Sequence, residues 1–179
     1  MNTSNTSARP ESPLLGRGKG EASYFTISEL TASATAQREG IDNCPPASAN
    51  HLLHVLIEQL LDPIREAWGA PILVSSGYRC KELNALVGGA KNSHHLLGCA
   101  ADITAPLLSP QGGKKSSTMS EYLPLGGGRE GANRKLFNLI RQMQQEGKIR
   151  FTQLIWEGDG RWIHISYVPS DLRCQVIDA

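Results

Sequence analysis

Between residues 93 and 102 the chain reads SHHLLGCAAD: two adjacent histidines ahead of an apolar run that closes on a single aspartate. His95 and Asp102 offer one nitrogen and one oxygen donor on either side of a glycine-containing turn. Much further along, RWIHISY alternates as a strand does, with Trp162 and His164 on one face and Ile163 and Ile165 on the other. An imidazole on such a strand needs a polar partner or a metal wherever it is buried. Two imidazoles, a carboxylate and an open position for water form the kind of sphere that catalytic zinc uses. Residue types alone leave a second reading open, since a buried histidine is more often hydrogen-bonded than ligated.

The elements that must carry these residues alternate in type. YFTISEL predicts a short helix from about Glu29, capped by Ser28 or Thr26. DNCPPASAN reads as a turn-rich connector. HLLHVLIEQLLDPIREAW then repeats Leu53, Leu56, Leu60, Ile64 and Trp68 at helical spacing, with Pro63 as a kink or a restart and Gly69 as the stop. PILVSSGYR predicts a buried strand running into a turn, and CKELNALVGG a short helix. AADIT can alternate as a strand bearing Asp102. Residues 107–131 are rich in Gly, Ser and Pro and predict a long surface excursion leaving directly from that strand. NRKLFNLIRQMQQEGK predicts a helix, and FTQLIWE and RWIHISYV predict a hairpin around GDG. The expected class is α+β, a small antiparallel sheet with packed helices.

A chain of 179 residues suits one domain, here read as 24–179 behind a flexible tail over 1–23. A net charge of +1 without basic blocks argues against a duplex nucleic-acid binder. No run approaches the roughly 20 apolar residues of a membrane span, and the N-terminal stretch lacks the apolar segment of a secretory signal. The expectation is synthesis in the cytoplasm, with any route to the outside being another one, such as lysis. Cys44, Cys80, Cys99 and Cys174 form no CxxC pair and are read as mostly free thiols.

Taken as Ser93-x-His95-x-x-Gly98-x-Ala100-x-Asp102, the opening stretch resembles the first zinc motif of the D-alanyl-D-alanine carboxypeptidase and L,D-endopeptidase superfamily, the M15-type zinc peptidases. Trp162-Ile163-His164-Ile165-Ser166 is similar to that family's second motif, and SSGYR with Arg79 to the segment ahead of the first. YFTISELTAS with GIDNCPP looks like the small subgroup often encoded by phages and prophages.

The resemblance implies the zinc D-Ala-D-Ala carboxypeptidase or Hedgehog-like fold, with Zn2+ held by His95, Asp102 and His164 and His94 standing aside. It implies a monomeric hydrolase acting on peptidoglycan stem peptides, as carboxypeptidase or endopeptidase. Much of the family carries a carboxylate three residues before the second histidine, where this chain has Arg161. Glu157, brought back by the hairpin, is then the expected general base, and Asp159 a turn residue. Arg79 is expected to grip a substrate carboxylate or the developing oxyanion. Ser93 is expected either to bond substrate backbone or to cap a turn, and Trp162 to wall the cleft. The missing acid at Arg161 supports an alternative: a catalytically inactive zinc-binding or wall-binding module, for example in a phage tail.

Overall fold

The computed structural model describes residues 23–106 and 128–178. The predicted tail lies outside the described residues, except for Ser23. Its hydroxyl donates to Asp62 Oδ1 at 3.1 Å, and the Tyr24 amide donates to the same oxygen at 3.0 Å. Ser23, on the tail side of the expected boundary, is thus tied to the domain, because a largely buried carboxylate needs those donors.

Helix α1 (Ile27–Thr31) is closed by a capping box between Thr26 and Glu29, so Thr26 is the cap and the helix starts ahead of Glu29. After α2 (Ala34–Glu39), α3 begins at Ala47, inside the expected connector. Pro46, extended and without need of an amide bond, sits at its N-cap. Between α3 (Ala47–Leu56) and α4 (Asp62–Trp68) the helix widens to a π-turn over Ile57–Leu61, where the Asp62 amide reaches back to the Ile57 carbonyl. Pro63 thus neither breaks the helix nor restarts it, since the wider turn makes room for its ring and its missing donor. Leu53, Leu56, Leu60 and Ile64 are fully buried along one face.

Among the described residues, five strands form one mixed sheet in the order β1-β2-β4-β3-β5. They are β1 (Leu73–Ser76), β2 (Ala100–Thr104), β3 (Gln153–Glu157), β4 (Trp162–Ser166) and β5 (Gln175–Ile177). All neighbours are antiparallel except β3 and β5, which run parallel. Two expectations are corrected here. The sheet is not purely antiparallel, because the chain returns after β4 to add a short parallel strand. Among the described residues β1 is an edge strand and not a buried one, with Leu73 54% exposed, since β2 alone flanks it there.

Alternation divides the sheet into a dry and a wet face. Ala101, Ile103, Leu154, Trp156, Ile163 and Ile165 pack into the core with the long helix and with α6 (Gly128–Gln145). The opposite face carries Asp102, Ile155, Glu157, Trp162 and His164. The predicted excursion over 107–131 falls on 107–127, outside the described residues, apart from its end. Residues 128–131 form the first turn of α6, which starts ahead of the predicted Asn133. Asn133 is fully buried and bonds to Ala105, Gly160 and Arg161, tying α6 to the end of β2 and to the β3–β4 hairpin. α5 (Lys81–Leu86) forms as expected.

No helix among the described residues is long and apolar enough to cross a membrane. All four cysteines are free. Cys99 is buried and burial pushes its thiol up to about 11, whereas Cys44 is exposed. At pH 8 a maleimide should therefore label Cys44 at once and Cys99 only after denaturation, as read by mass spectrometry of the peptides. Equal labelling of both in the native protein contradicts this burial.

Candidate metal centre

Three separate pieces of chain meet at the floor of a cleft of about 460 Å³. The first is the turn Gly77–Arg79. A Cβ on Gly77 would collide with the Leu30 carbonyl, and the Tyr78 amide donates to that carbonyl at 2.7 Å. Glycine is thus required for the chain to pass so close beneath the end of α1. The second is a single 3-10 turn, His94–Leu97, capped by Ser93 and ended by Gly98 in the left-handed region (φ +73°). The third is the β2–β4 ladder, in which Asp102 lies directly opposite His164. A directly opposed pair keeps its Cβ atoms within about 4.5–5.5 Å, so the register alone delivers a carboxylate and an imidazole to one point.

Gly98 couples the second piece to the core. Besides its positive φ, a Cβ there would run into the Ala49 carbonyl of α3. Gly98→Ala is expected to cost more than about 2 kcal/mol, combining left-handed strain with a backbone clash. Thermal denaturation checks this; an unchanged Tm would show that the turn does not depend on the glycine.

The donor atoms are oriented by their other bonds. His95 is 2% exposed, and its Nδ1 donates to the Gly77 carbonyl at 2.6 Å. That bond fixes the tautomer and leaves Nε2 with its lone pair facing the cleft. Nε2 lies 3.2 Å from Asp102 Oδ1 and 3.2 Å from His164 Nδ1, which is itself 2.9 Å from the same carboxylate oxygen. One donor atom from each residue falls within 4.8 Å of the others. Separations of 2.9–3.2 Å are close to the roughly 3.3 Å edge of a tetrahedral nitrogen–oxygen zinc sphere. A lone pair and a carboxylate oxygen facing each other at 3.2 Å suit a shared cation, so this donor set fits zinc.

Asp102 is further held by Arg79, whose Nη2 donates to Oδ2 at 2.6 Å while its Nε donates to Ser76 Oγ at 2.8 Å. Ser76 stands opposite Asp102 across a β1 bulge, and Ser75 Oγ donates to the Asp102 carbonyl. Burial would raise the Asp102 carboxyl, but in the absence of a metal the His164 and His95 imidazoles, when they carry a proton towards it, hold it well below the usual carboxylate range. It stays an anion under all ordinary conditions. The support that Arg79 gives to Asp102 has no sequence signal beyond the presence of an arginine, since the pairing bridges separate turns.

The remaining expected residues line the same cleft. Ser93 Oγ accepts the His95 amide at 3.4 Å, so it caps the turn while facing the cleft. Glu157 sits opposite Trp162 in the hairpin, on the face that bears His164. Trp162 walls the cleft with its ring against Gly158. Arg161 points elsewhere: its Nε donates to the Gly158 carbonyl at 3.0 Å and its guanidinium stacks on Trp162. Asp159 adopts φ 57° within the turn and does not line the cleft. His94 is outside the three-donor group but lines the cleft, with Nδ1 3.0 Å from Ser166 Oγ.

Residues 23–124 match the family model described as Peptidase M15, more than half of the chain. The chain belongs to the M15 peptidase family. The matched segment contains Arg79, Ser93, His95 and Asp102, and the sheet register adds His164 from beyond it. A zinc D-Ala-D-Ala carboxypeptidase of Streptomyces albus G is 38% identical over 82 residues, which is 45% of this chain. The match spans 31% of that protein's length. Zinc is thus the ion that both the M15 membership and the donor set indicate.

Proposed function

We propose that this chain, read as one domain over 24–179, is a zinc-dependent peptidase hydrolysing peptidoglycan stem peptides. Zinc would be held by His95, Asp102 and His164. The convergence of these three donors in a cleft that also presents Glu157 carries the proposal. Bound there, zinc supplies Lewis acidity, lowering the pKa of water and polarising a carbonyl. Glu157 takes the proton of the attacking water and returns it to the leaving amine. Arg79 anchors Asp102 and presents the rest of its fork to substrate oxygens. Ser93 and the Trp162 ring border the substrate.

The substrate class follows the relative named for D-Ala-D-Ala, and a cleft open to solvent admits either a terminal or an internal bond. The purified protein should contain one zinc per chain and release D-alanine or shorter stems from defined muropeptides, with chelation abolishing turnover and zinc restoring it. Mass spectrometry of the products distinguishes carboxypeptidase from endopeptidase. A zinc-loaded protein that leaves every muropeptide intact favours the alternative, a non-hydrolytic zinc module, whose support is that Arg161 occupies the position of the family's usual acid.

A further inference from the structure

The cleft has a second polar end that the proposed reaction leaves unused. Along β4 the wet-face residues are Trp162, His164 and Ser166, and opposite them in β3 stand Glu157, Ile155 and Gln153. Glu157 and Trp162 therefore form one end and His164 the middle. Gln153 forms the far end, about 7 Å further along the strand, with Ser166 fully buried beside it. His94 covers that end, placed there because its 3-10 turn is fixed by Ser93 and Gly98.

Hydrogen-bond accounting settles which nitrogen of His94 carries the hydrogen. Ser166 is fully buried, and the bond between its hydroxyl and His94 Nδ1 is the one its Oγ makes among the described residues. Were Nδ1 the donor, the serine hydrogen would be left buried without an acceptor, a costly arrangement. The arrangement that satisfies both groups has the hydroxyl donating to Nδ1, which places the ring hydrogen on Nε2. That N–H has no acceptor among the described residues and borders the cleft. Gln153, whose amide donates to Gln175 Oε1 at 3.0 Å, lines the cleft beside it.

We infer that His94 is a specificity-determining residue, its Nε2–H donating to a peptide oxygen of the substrate one residue away from the scissile bond. The inference rests on the peptidase reading and assigns the far end of that same cleft. The oxygen is either a free terminal carboxylate or the carbonyl of a continuing chain. A carboxylate accepts the more strongly, so the residue would favour substrates that end there.

The test uses zinc-loaded full-length protein, a stem peptide ending in D-Ala-D-Ala and its C-terminal amide. KM and kcat are measured for wild type, His94→Phe and His94→Gln. His94→Phe is expected to raise KM for the acid about 10-fold or more, with kcat changed by less than about 3-fold and zinc content unchanged. His94→Gln, which keeps a donor, should recover much of that loss. A larger KM effect on the acid than on the amide identifies the carboxylate, and equal effects identify the carbonyl. Unchanged KM for both substrates in His94→Phe overturns the inference, as does a long-range 1H–15N spectrum showing the hydrogen on Nδ1. Should the wild type bind the peptide in calorimetry without cleaving it, the peptidase reading fails alone, and a His94→Phe loss of binding still supports the subsite. Wild type that neither binds nor cleaves overturns both.

Discussion

His164→Ala is expected to leave a folded protein that no longer retains zinc through gel filtration and has no measurable hydrolysis. Loss of a supporting residue outside the sphere weakens metal sites about 10–100-fold, and loss of one of three protein ligands should exceed that. No described neighbour can substitute. His94 lines the same cleft, but it lies outside the converging group. Glu157 and Ile155 are the residues next to His164 on the wet face of β3, and neither belongs to the three-donor cluster. The fold should survive because His164 lies on the wet face, while Ile163 and Ile165 hold β4 to the core from the other side. The stability cost of the substitution is about 1 kcal/mol. Elemental analysis with circular dichroism reads both quantities. Zinc at wild-type stoichiometry in a folded His164→Ala protein would remove this residue from the site.

His164 also shows how far the sequence was legible. Its place on a strand face followed from alternation in WIHIS, and its distance from Asp102 in sequence was bridged by the M15 resemblance and then by the β2–β4 register. The long amphipathic helix and the hairpin could be read because each is written in residue types at a local period, whereas the three donors were brought together by the resemblance. What could not be read depends on non-local contact. β5 is three residues long and exists because the Cys174 amide bonds to Phe151 and the Gln175 amide to Thr152. β1 carried a buried-strand pattern because a short apolar run looks alike at a sheet's edge and in its centre. The π-turn that absorbs Pro63 has no local signature. Asn133 looked like an ordinary helix-start residue, yet it pins the hairpin turn from which Glu157 is presented. The double task of Arg79, on Asp102 and on Ser76, depends on a bulge in an edge strand.

Glu157→Gln should lower kcat by roughly 10²–10⁴-fold while zinc content and KM stay near wild type. The hairpin register makes the case. Glu157 is opposite Trp162, and His164 is the next wet-face residue along β4. Such diagonal neighbours sit about 7–8 Å apart, within reach of a glutamate side chain turned along the cleft. Glu157 is half-buried and lines the cleft, but it stands outside the three-donor cluster. That placement is what the proposed proton transfer asks of a residue that lines the cleft and is not a ligand. Glutamine preserves its volume and one oxygen and removes only the capacity to take a proton. Arg161, three residues before His164, cannot serve in its place, having no acceptor atom and being drawn to Gly158 and Trp162. Asp159→Asn supplies the control, since that residue shapes the turn and is expected to leave kcat within about 3-fold. Hydrolysis retained in Glu157→Gln but lost in Asp159→Asn would move the base into the turn. Hydrolysis retained in both would mean that neither hairpin acid transfers the proton.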